Sequence, residues 1–465
     1  MKKFVNRISE LKCLEDQYNN DESNFIVLYG RRRVGKTQLI NEFLKTKEHG
    51  MYFLATEESE YQNRKYFKEM TSEFINNDLL KMADANWLTI FEEIAKFKTT
   101  SKKIIVIDEF QYIGLSNDAF PSIIQKVWDT ILKDKKIMLI ICGSYVSLMK
   151  SQTLDYASPL YGRRTAQIKL QQIKFNHYFE FYSNKSKEEL IPFYAVTGGV
   201  PKYIEMLNSY DDIYEAIENS ILNRQSFLYD EPNFLLQKEV SEIGSYFSLI
   251  RTIAFGNRKL SNISSDLGIK ATSLTKYLRV LIDLDLIERE VPITENQPEK
   301  SKSGLYKIKD NYIAFWFKFV YPYYSFLEKG ETNFVLNKIK SNFVQNYVSF
   351  VYEDITHDKM WCLNVENFWD FNFDKLGRYW GSKTGEVDIV AIDSDGKNLI
   401  VGECKYSKNK KGVDVLKLLK VKGEVIKDIT KSINVEYVIF STGGFTNELL
   451  NEAKLNNKIK LIDKL

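Results

Sequence analysis

The sequence predicts an α/β protein with a parallel sheet in its first third, a helical middle and a second, smaller α/β domain at its carboxyl end. Three observations predict it. Apolar runs of strand length alternate with helix-like segments over residues 1–180, three short helices and a strand pair follow over 240–292, and two apolar strands flank Asp395 and Gly396. A chain of 465 residues is too long for one core and suggests about two to four domains. The expected segments are a sheet domain over 1–185, a helical lid over 186–238, a helix-turn-helix module over 239–303, an aromatic connector over 304–340 and the terminal domain over 341–465.

Composition is that of an ordinary globular protein, with 44% hydrophobic and 27% charged residues. No apolar run approaches the ~20 residues that cross a bilayer, and the start through Phe4, Val5, Asn6 and Arg7 meets a charged helix rather than a signal-peptide core. A cytoplasmic protein without a membrane partner is expected. Cys13, Cys142, Cys362 and Cys404 are widely scattered, so neither a disulfide framework nor a zinc site is written here. The net charge of +3 neither demands nor forbids nucleic acid, which has to be argued from local features.

The first apolar run, Phe25, Ile26, Val27 and Leu28, leads into Gly30, Arg31, Arg32, Arg33, Val34, Gly35, Lys36 and Thr37, and then into a helix-like segment. Strand, glycine loop and helix in that order make a phosphate-binding P-loop. Gly30 and Gly35 let the backbone turn tightly and aim N–H groups at phosphate oxygens. Lys36 brings a cation to the β- and γ-phosphates, and the Thr37 hydroxyl is a ligand for Mg2+. A second run, residues 104–107, ends in Asp108 and Glu109 as a Walker B strand does. Asp108 would hold the magnesium through water, and Glu109 would orient or deprotonate the attacking water. A third run, residues 136–142, reaches Gly143 and Ser144, where the hydroxyl either senses a γ-phosphate or belongs to a simple turn. Arg163 and Arg164, after Tyr161 and Gly162, either reach a γ-phosphate, in cis or from a neighbouring subunit of a homo-oligomer, or form a solvated basic turn.

These residues resemble the archaeal-type ATPases of the AAA-like, STAND-related P-loop class. The resemblance is carried by Phe4 to Arg7 with Glu10 and Leu11, by the arginine-rich P-loop, by Asp108 with Glu109, by Gly143 with Ser144, by Arg163 with Arg164, and by Thr197, Gly198, Gly199, Val200 and Pro201. It implies ATP as the nucleotide, a segment near Arg7 beside the base, and a helical lid through Gly198 and Tyr203. The cofactor-binding set is then Arg7, Gly30, Arg33, Val34, Gly35, Lys36, Thr37, Gln38, Ser144, Arg163 and Arg164. Such proteins often carry a winged helix and a nuclease-like C-terminal domain.

In the middle of the chain, residues 245–255, 259–267 and 272–284 read as helices, with a turn at Leu267, Gly268 and Ile269 and a strand after Leu286. Leu274, Leu278, Leu281 and Ile282 give the third helix an apolar face. Lys270, Thr272, Ser273, Lys276 and Arg279 lie on or near the other side, suited to DNA phosphates or to an ordinary solvated face. Residues 294–303, with Asn296, Gln297, Pro298 and Ser301, read as a polar turn or wing tip. Tyr312, Phe315, Trp316, Phe317, Phe319, Tyr321, Tyr323, Tyr324 and Phe326 recur at largely helical spacing, which favours a packing seam over nucleic-acid stacking.

Near the carboxyl end, Asp-Gly between apolar strands predicts a two-residue type I′ hairpin turn at Asp395 and Gly396. Partners across it have numbers that add to a constant, so Ser394 faces Lys397 and Asp388 faces Glu403. Lys405 shares the face of Glu403, and Cys404 points away. Two carboxylates about 5 Å apart repel unless a divalent cation lies between them. Lys405 beside it would position or deprotonate a polarised water. The pattern resembles the PD-(D/E)xK nuclease superfamily, with residues 342–356 as its first helix, Arg378 in its first strand, 413–425 as a second helix and 435–440 as a further strand. The resemblance implies Glu353 as an extra metal carboxylate beside Asp388 and Glu403. The expected function couples ATP binding and hydrolysis to DNA binding and metal-dependent phosphodiester cleavage, with Glu109, Asp388, Glu403 and Lys405 as the catalytic set. A regulatory or signalling ATPase with a silent nuclease-like domain, and a DNA-binding regulator that cuts nothing, are the alternatives.

Overall fold

Strand β1 (Asn24–Tyr29) is buried at all six positions, as a central parallel strand covered on both faces must be. It belongs to a computed structural model that describes residues 4–240, 242–382 and 384–465; the starting residues Met1, Lys2 and Lys3, together with Ser241 and Lys383, lie outside the described residues. β2 (Gly50–Leu54), β3 (Lys103–Asp108), β4 (Ile137–Gly143) and β5 (Ala166–Lys169) complete a sheet in the order β2-β3-β4-β1-β5. Every pairing in it is parallel. Since β1 lies between β4 and β5, the chain reverses its winding beside β1, and the crevice at the carboxyl ends of β1 and β4 is where such a sheet binds ligands. Leu14, Ile26, Leu28, Leu39, Ile40, Val106 and Ile140 form the core on one face.

The chain divides into two compact units, Met1–Ile173 with Val200–Lys202, and Lys174–Gly199 with Tyr203–Leu465. After a short helix, Phe175–Tyr178, the second contains the helix Lys187–Thr197, whose start is fixed by a capping box between Ser186 and Glu189. Three helices, Ile243–Ala254, Leu260–Leu267 and Ala271–Asp283, follow later. Gly268, at φ 63°, ends the second of them in the left-handed conformation. Leu274, Leu278 and Leu281 are buried. Ile282 departs from expectation: it is 37% exposed, because one further residue of helical twist carries it past the edge of the apolar stripe.

An antiparallel pair, β6 (Ile287–Glu290) and β7 (Leu305–Ile308), closes this module. The module therefore runs beyond residue 303. The intervening segment does not stand free as a wing tip, because Ile293 N donates to Arg378 O at 3.0 Å and Ser303 O accepts from Trp380 Nε1 at 3.1 Å. The aromatic segment packs inward: Tyr312, Phe315, Trp316, Phe317 and Phe319 are buried, and Trp316 Nε1 donates to Tyr229 O at 2.7 Å. Phe247 of the first module helix meets Phe317 with ring centroids 4.5 Å apart.

The helix expected at 342–356 is the middle of a longer run, Thr332–Phe343, then a π-helical turn Val344–Val348, then Ser349–Val365. Beyond it lie β8 (Lys375–Gly381), β9 (Gly385–Ile392), β10 (Asn398–Lys405), β11 (Asn434–Ser441) and β12 (Ile459–Ile462), in the sheet order β12-β11-β10-β9-β8. β8, β9 and β10 pair antiparallel, whereas β10, β11 and β12 pair parallel. The parallel pair β10 and β11 needs a crossover, which the helix Val413–Thr430 supplies. Its Leu416, Leu419 and Ile426 pack on Val387, Val401 and Ile439 of the sheet.

The turn between β9 and β10 differs from the expected type I′. Gly396 N donates to Asp393 O at 3.1 Å and Asp393 N donates to Asn398 O at 3.3 Å, so the connection is four residues long. Gly396 alone takes a positive φ there, 71°, while type I′ requires one at Asp395 as well. A four-residue loop centred on the same bond keeps the same partners. Gly402 accordingly pairs with Ile389 and Val401 with Val390; the ladder ends there, where β8 and β9 shift register, and Asp388 Oδ2 instead accepts from Cys404 N at 2.8 Å.

Candidate functional site

The loop after β1 is shaped by close approach. A Cβ on Gly30 would stand 2.3 Å from Leu170 O, and Gly35 takes φ 99°, so both positions require glycine. Lys36 Nζ donates to the carbonyls of Gly30 and Arg31 at 2.8 and 2.9 Å. Val34 is buried, Arg33 has φ 70°, and Gln38 is exposed on the first turn of the helix that follows. Arg7, only 6% exposed, donates to Val34 O at 2.9 Å and to Gln171 O at 2.6 Å. It props the loop from behind. Burial lowers its pKa, an effect that the facing Glu10 opposes.

Parallel register brings the other strand ends to this loop. Thr37 Oγ1 donates to Asp108 Oδ2 at 3.2 Å, and Tyr52 OH donates to the same oxygen at 2.5 Å. Burial and the neighbouring Asp108 push the Tyr52 phenol up, so it stays a donor. Glu109 sits in the left-handed conformation at φ 53° and accepts from Ser144 Oγ at 2.8 Å, Ser144 N at 3.3 Å and the Gln111 amide. Thr37 and Asp108 are hard oxygen donors side by side, a set that fits a magnesium ion keeping several waters.

Arg163 and Arg164 are not brought to this place. β5 starts by pairing Ala166 with Ile26, and Thr165 N donates to Phe25 O, so both arginines lie at the amino edge of the sheet. The six residues of β1 separate that edge from the P-loop by about 20 Å. Arg163 is instead paired with Asp129, with Nε at 3.0 and 2.9 Å from its two oxygens. Reach to a γ-phosphate in cis is ruled out by this topology.

Residues that the sequence reading passed over also meet here. Arg32 Nη2 donates to the hydroxyls of Tyr112 and Tyr145, each at 2.9 Å, and its guanidinium carbon lies 4.8 Å from the centre of the Tyr145 ring. It thereby joins the P-loop, the segment after Glu109 and the segment after Ser144. The run of three arginines was visible, but the tyrosines come from distant positions that no local spacing connects to it.

A second constellation lies on the β9–β10 hairpin. Lys405 Nζ donates to Glu403 Oε1 at 2.5 Å, Lys422 Nζ to Glu403 Oε2 at 3.3 Å, and Asp388 Oδ2 accepts from Cys404 N at 2.8 Å. Burial, with Glu403 adding to it, pushes Asp388 up to about 6. Glu353 is pushed upward mainly by burial and also by Asp388, although Arg378 opposes both. Its carboxylate is held by Arg378 Nε at 3.0 Å, and the same guanidinium donates to Glu290 and to Asp354, each at 2.7 Å. Asp388, Glu403 and Lys405 are thus adjacent, while Glu353 is tied to an arginine. Among the described residues, no three His, Cys, Asp or Glu side chains form a set arranged to hold a metal. The donor chemistry present is two hard carboxylates and a lysine, which fits a hydrated magnesium ion through Asp388 and Glu403.

Comparison with known proteins adds the following. Residues 4–207 match the family described as an ATPase domain predominantly from Archaea, and residues 316–416 match one described as archaeal and bacterial proteins of unknown function. The second match spans Asp388, Glu403 and Lys405. An uncharacterized protein of Methanocaldococcus jannaschii is 38% identical over 415 residues, covering 89% of this chain and 90% of its own. An uncharacterized ATP-binding protein of the same organism is 58% identical over 45 residues, 10% of this chain and 76% of its own. A Walker-type ATPase of Pyrococcus abyssi aligns with TM-score 0.53 and 19% identity over 68% of this chain and 96% of its own, a likeness of fold.

Proposed function

The chain belongs to one family with the Methanocaldococcus jannaschii protein, built on an ATPase domain predominantly from Archaea, and from that premise we propose that this ATP-binding P-loop ATPase couples nucleotide state to DNA binding and phosphodiester cleavage. At the first site the P-loop amides and Lys36 bind the phosphates, and Arg7 keeps the loop in shape. A magnesium ion held by Thr37 and, through water, Asp108 would neutralise charge on the β- and γ-oxygens. Glu109, oriented by Ser144 and Gln111, takes the proton of the attacking water. Pro201 and Lys202 begin the helix Pro201–Leu207 within the first unit, and from Tyr203 on that helix belongs to the second, so the chain itself links the two.

In the second unit we assign DNA binding to a winged-helix module, with contact through the third helix, whose Thr272, Ser273, Thr275, Lys276 and Arg279 are exposed. The C-terminal domain, with its antiparallel hairpin followed by a parallel crossover, is assigned to the PD-(D/E)xK nuclease class. The observation that carries cleavage is Asp388 held by the backbone N–H of Cys404 at 2.8 Å, next to Glu403, with the Lys405 ammonium 2.5 Å from Glu403. A metal held by the two acids would polarise water and steady charge on a phosphodiester. Lys405 orients that water. Magnesium-dependent nicking of circular DNA, with linear DNA and RNA tested in parallel and with and without ATP, is the expected result, and it should vanish in Lys405→Ala. Nicking that persists in Lys405→Ala would refute the assignment. One observation favours a second reading, a regulatory ATPase with a silent C-terminal domain: Arg378 neutralises Glu353. That reading predicts ATP hydrolysis without nicking.

A further inference from the structure

A cleft of about 510 Å³ opens within the second unit, between the helical module and the C-terminal domain, and it adjoins the second constellation, with which it shares Glu353 and Arg378. Five basic residues, Arg258, Lys307, Lys318, Lys338 and Arg378, line it against the acids Glu353, Asp354 and Glu386. Arg258, Lys307 and Arg378 are answered by Glu290, Asp354 and Glu353. Among the described residues, Lys318 and Lys338 have no carboxylate partner. Lys318 donates to Asn346 O at 2.5 Å, and Lys338 lies 5.4 Å from the centre of the Phe334 ring. Aromatic rings share the wall with these two cations: Tyr323 is half-buried and Phe350 is 49% exposed.

The cleft reaches toward the acid pair. Glu386 lines it and stands two residues before Asp388 on β9. Glu353 lines it too, and its carboxyl group feels the charge of Asp388. Unpaired cations beside open aromatic rings are what a single nucleic-acid strand uses, its phosphates on the cations and its bases on the rings. The volume lies within the ~300–1,000 Å³ of pockets for small ligands. A duplex, whose major groove alone is about 12 Å wide, does not enter a cleft of that size.

We propose that this cleft receives an unpaired single strand of nucleic acid and leads it to Asp388 and Glu403, with Lys318 and Lys338 on its phosphates and Phe350 stacked on a base. The direction toward the acid pair rests on the cleavage reading; occupancy of the cleft does not. The test is fluorescence anisotropy of the full chain with a labelled oligodeoxythymidylate, its ribo-counterpart and a labelled duplex. Divalent cations are chelated, so cleavage plays no part. Phe350→Ala and Lys338→Glu each remove an exposed side chain, and their thermal melting should match that of the parent. Each is expected to weaken single-strand binding about tenfold, the loss of one base stack or one phosphate contact, and to leave duplex binding unchanged. Single-strand binding unaltered by both variants overturns the proposal, as does an equal loss on duplex. Lys405→Ala should bind the single strand like the parent. If it does, and no form of the protein cuts any substrate in magnesium, the cleavage reading falls while the cleft assignment stands.

Discussion

The proposed hydrolysis places Lys36 and Glu109 at its two ends, and their surroundings separate their effects. Lys36→Ala removes the cation from the loop and should abolish ATP binding measured by calorimetry. Glu109→Gln keeps the shape and the Ser144 hydrogen bond but cannot take a proton, so binding should persist while phosphate release stops. Arg32 gives a further case. Two hydroxyls and a ring hold its guanidinium, and among the described residues its Nε has no hydrogen-bond partner. Arg32→Ala should lower kcat/KM for ATP about tenfold, and an unchanged value would show the cage to be ornamental. At this scale, what the sequence made legible was local. Gly30, Gly35, Lys36 and Thr37 are neighbours along the chain, and their chemistry is set by that spacing. Arg163 and Arg164 were left open between a γ-phosphate contact and a solvated turn, because their place depends on which way β5 runs beside β1. The ion pair of Glu353 was not legible for the same reason, since Arg378 arrives from another element.

Among the elements, the third module helix tests how far an apolar stripe can be read. Leu278 is 1% exposed and Ile282 is 37% exposed, though both were assigned to one face. Leu278→Ala should cost about 2–5 kcal/mol in denaturant unfolding, and Ile282→Ala much less. Equal losses would mean that Ile282 packs as the stripe implied. The β9–β10 hairpin shows the opposite balance. Its turn type was misjudged, yet its pairing was legible, because register follows from the centre of the loop and not from its length. The segment between β6 and β7 could not be read as docked. Its anchors, Arg378 and Trp380, lie on β8, more than seventy residues away.

On the scale of the whole molecule, the proposed function assigns separable chemistry to the two units. Asp388→Asn should abolish nicking and leave steady-state ATP hydrolysis at the parental rate, as read by phosphate release. A fall in both would mean that the acid is structural. The first unit was legible almost entirely, because alternating strands and helices in a parallel sheet admit few arrangements. The second was legible in its parts only. Its aromatic segment proved to be a packing seam, but the cations of the cleft are gathered from helices and strands that no periodicity associates.

The grip of Arg7 on the carbonyls of Val34 and Gln171 has a practical corollary. A protein trimmed to start just before β1 would retain all of its Walker residues and still lose the brace behind them. Sequence signatures would pronounce it competent; its nucleotide would dissociate faster.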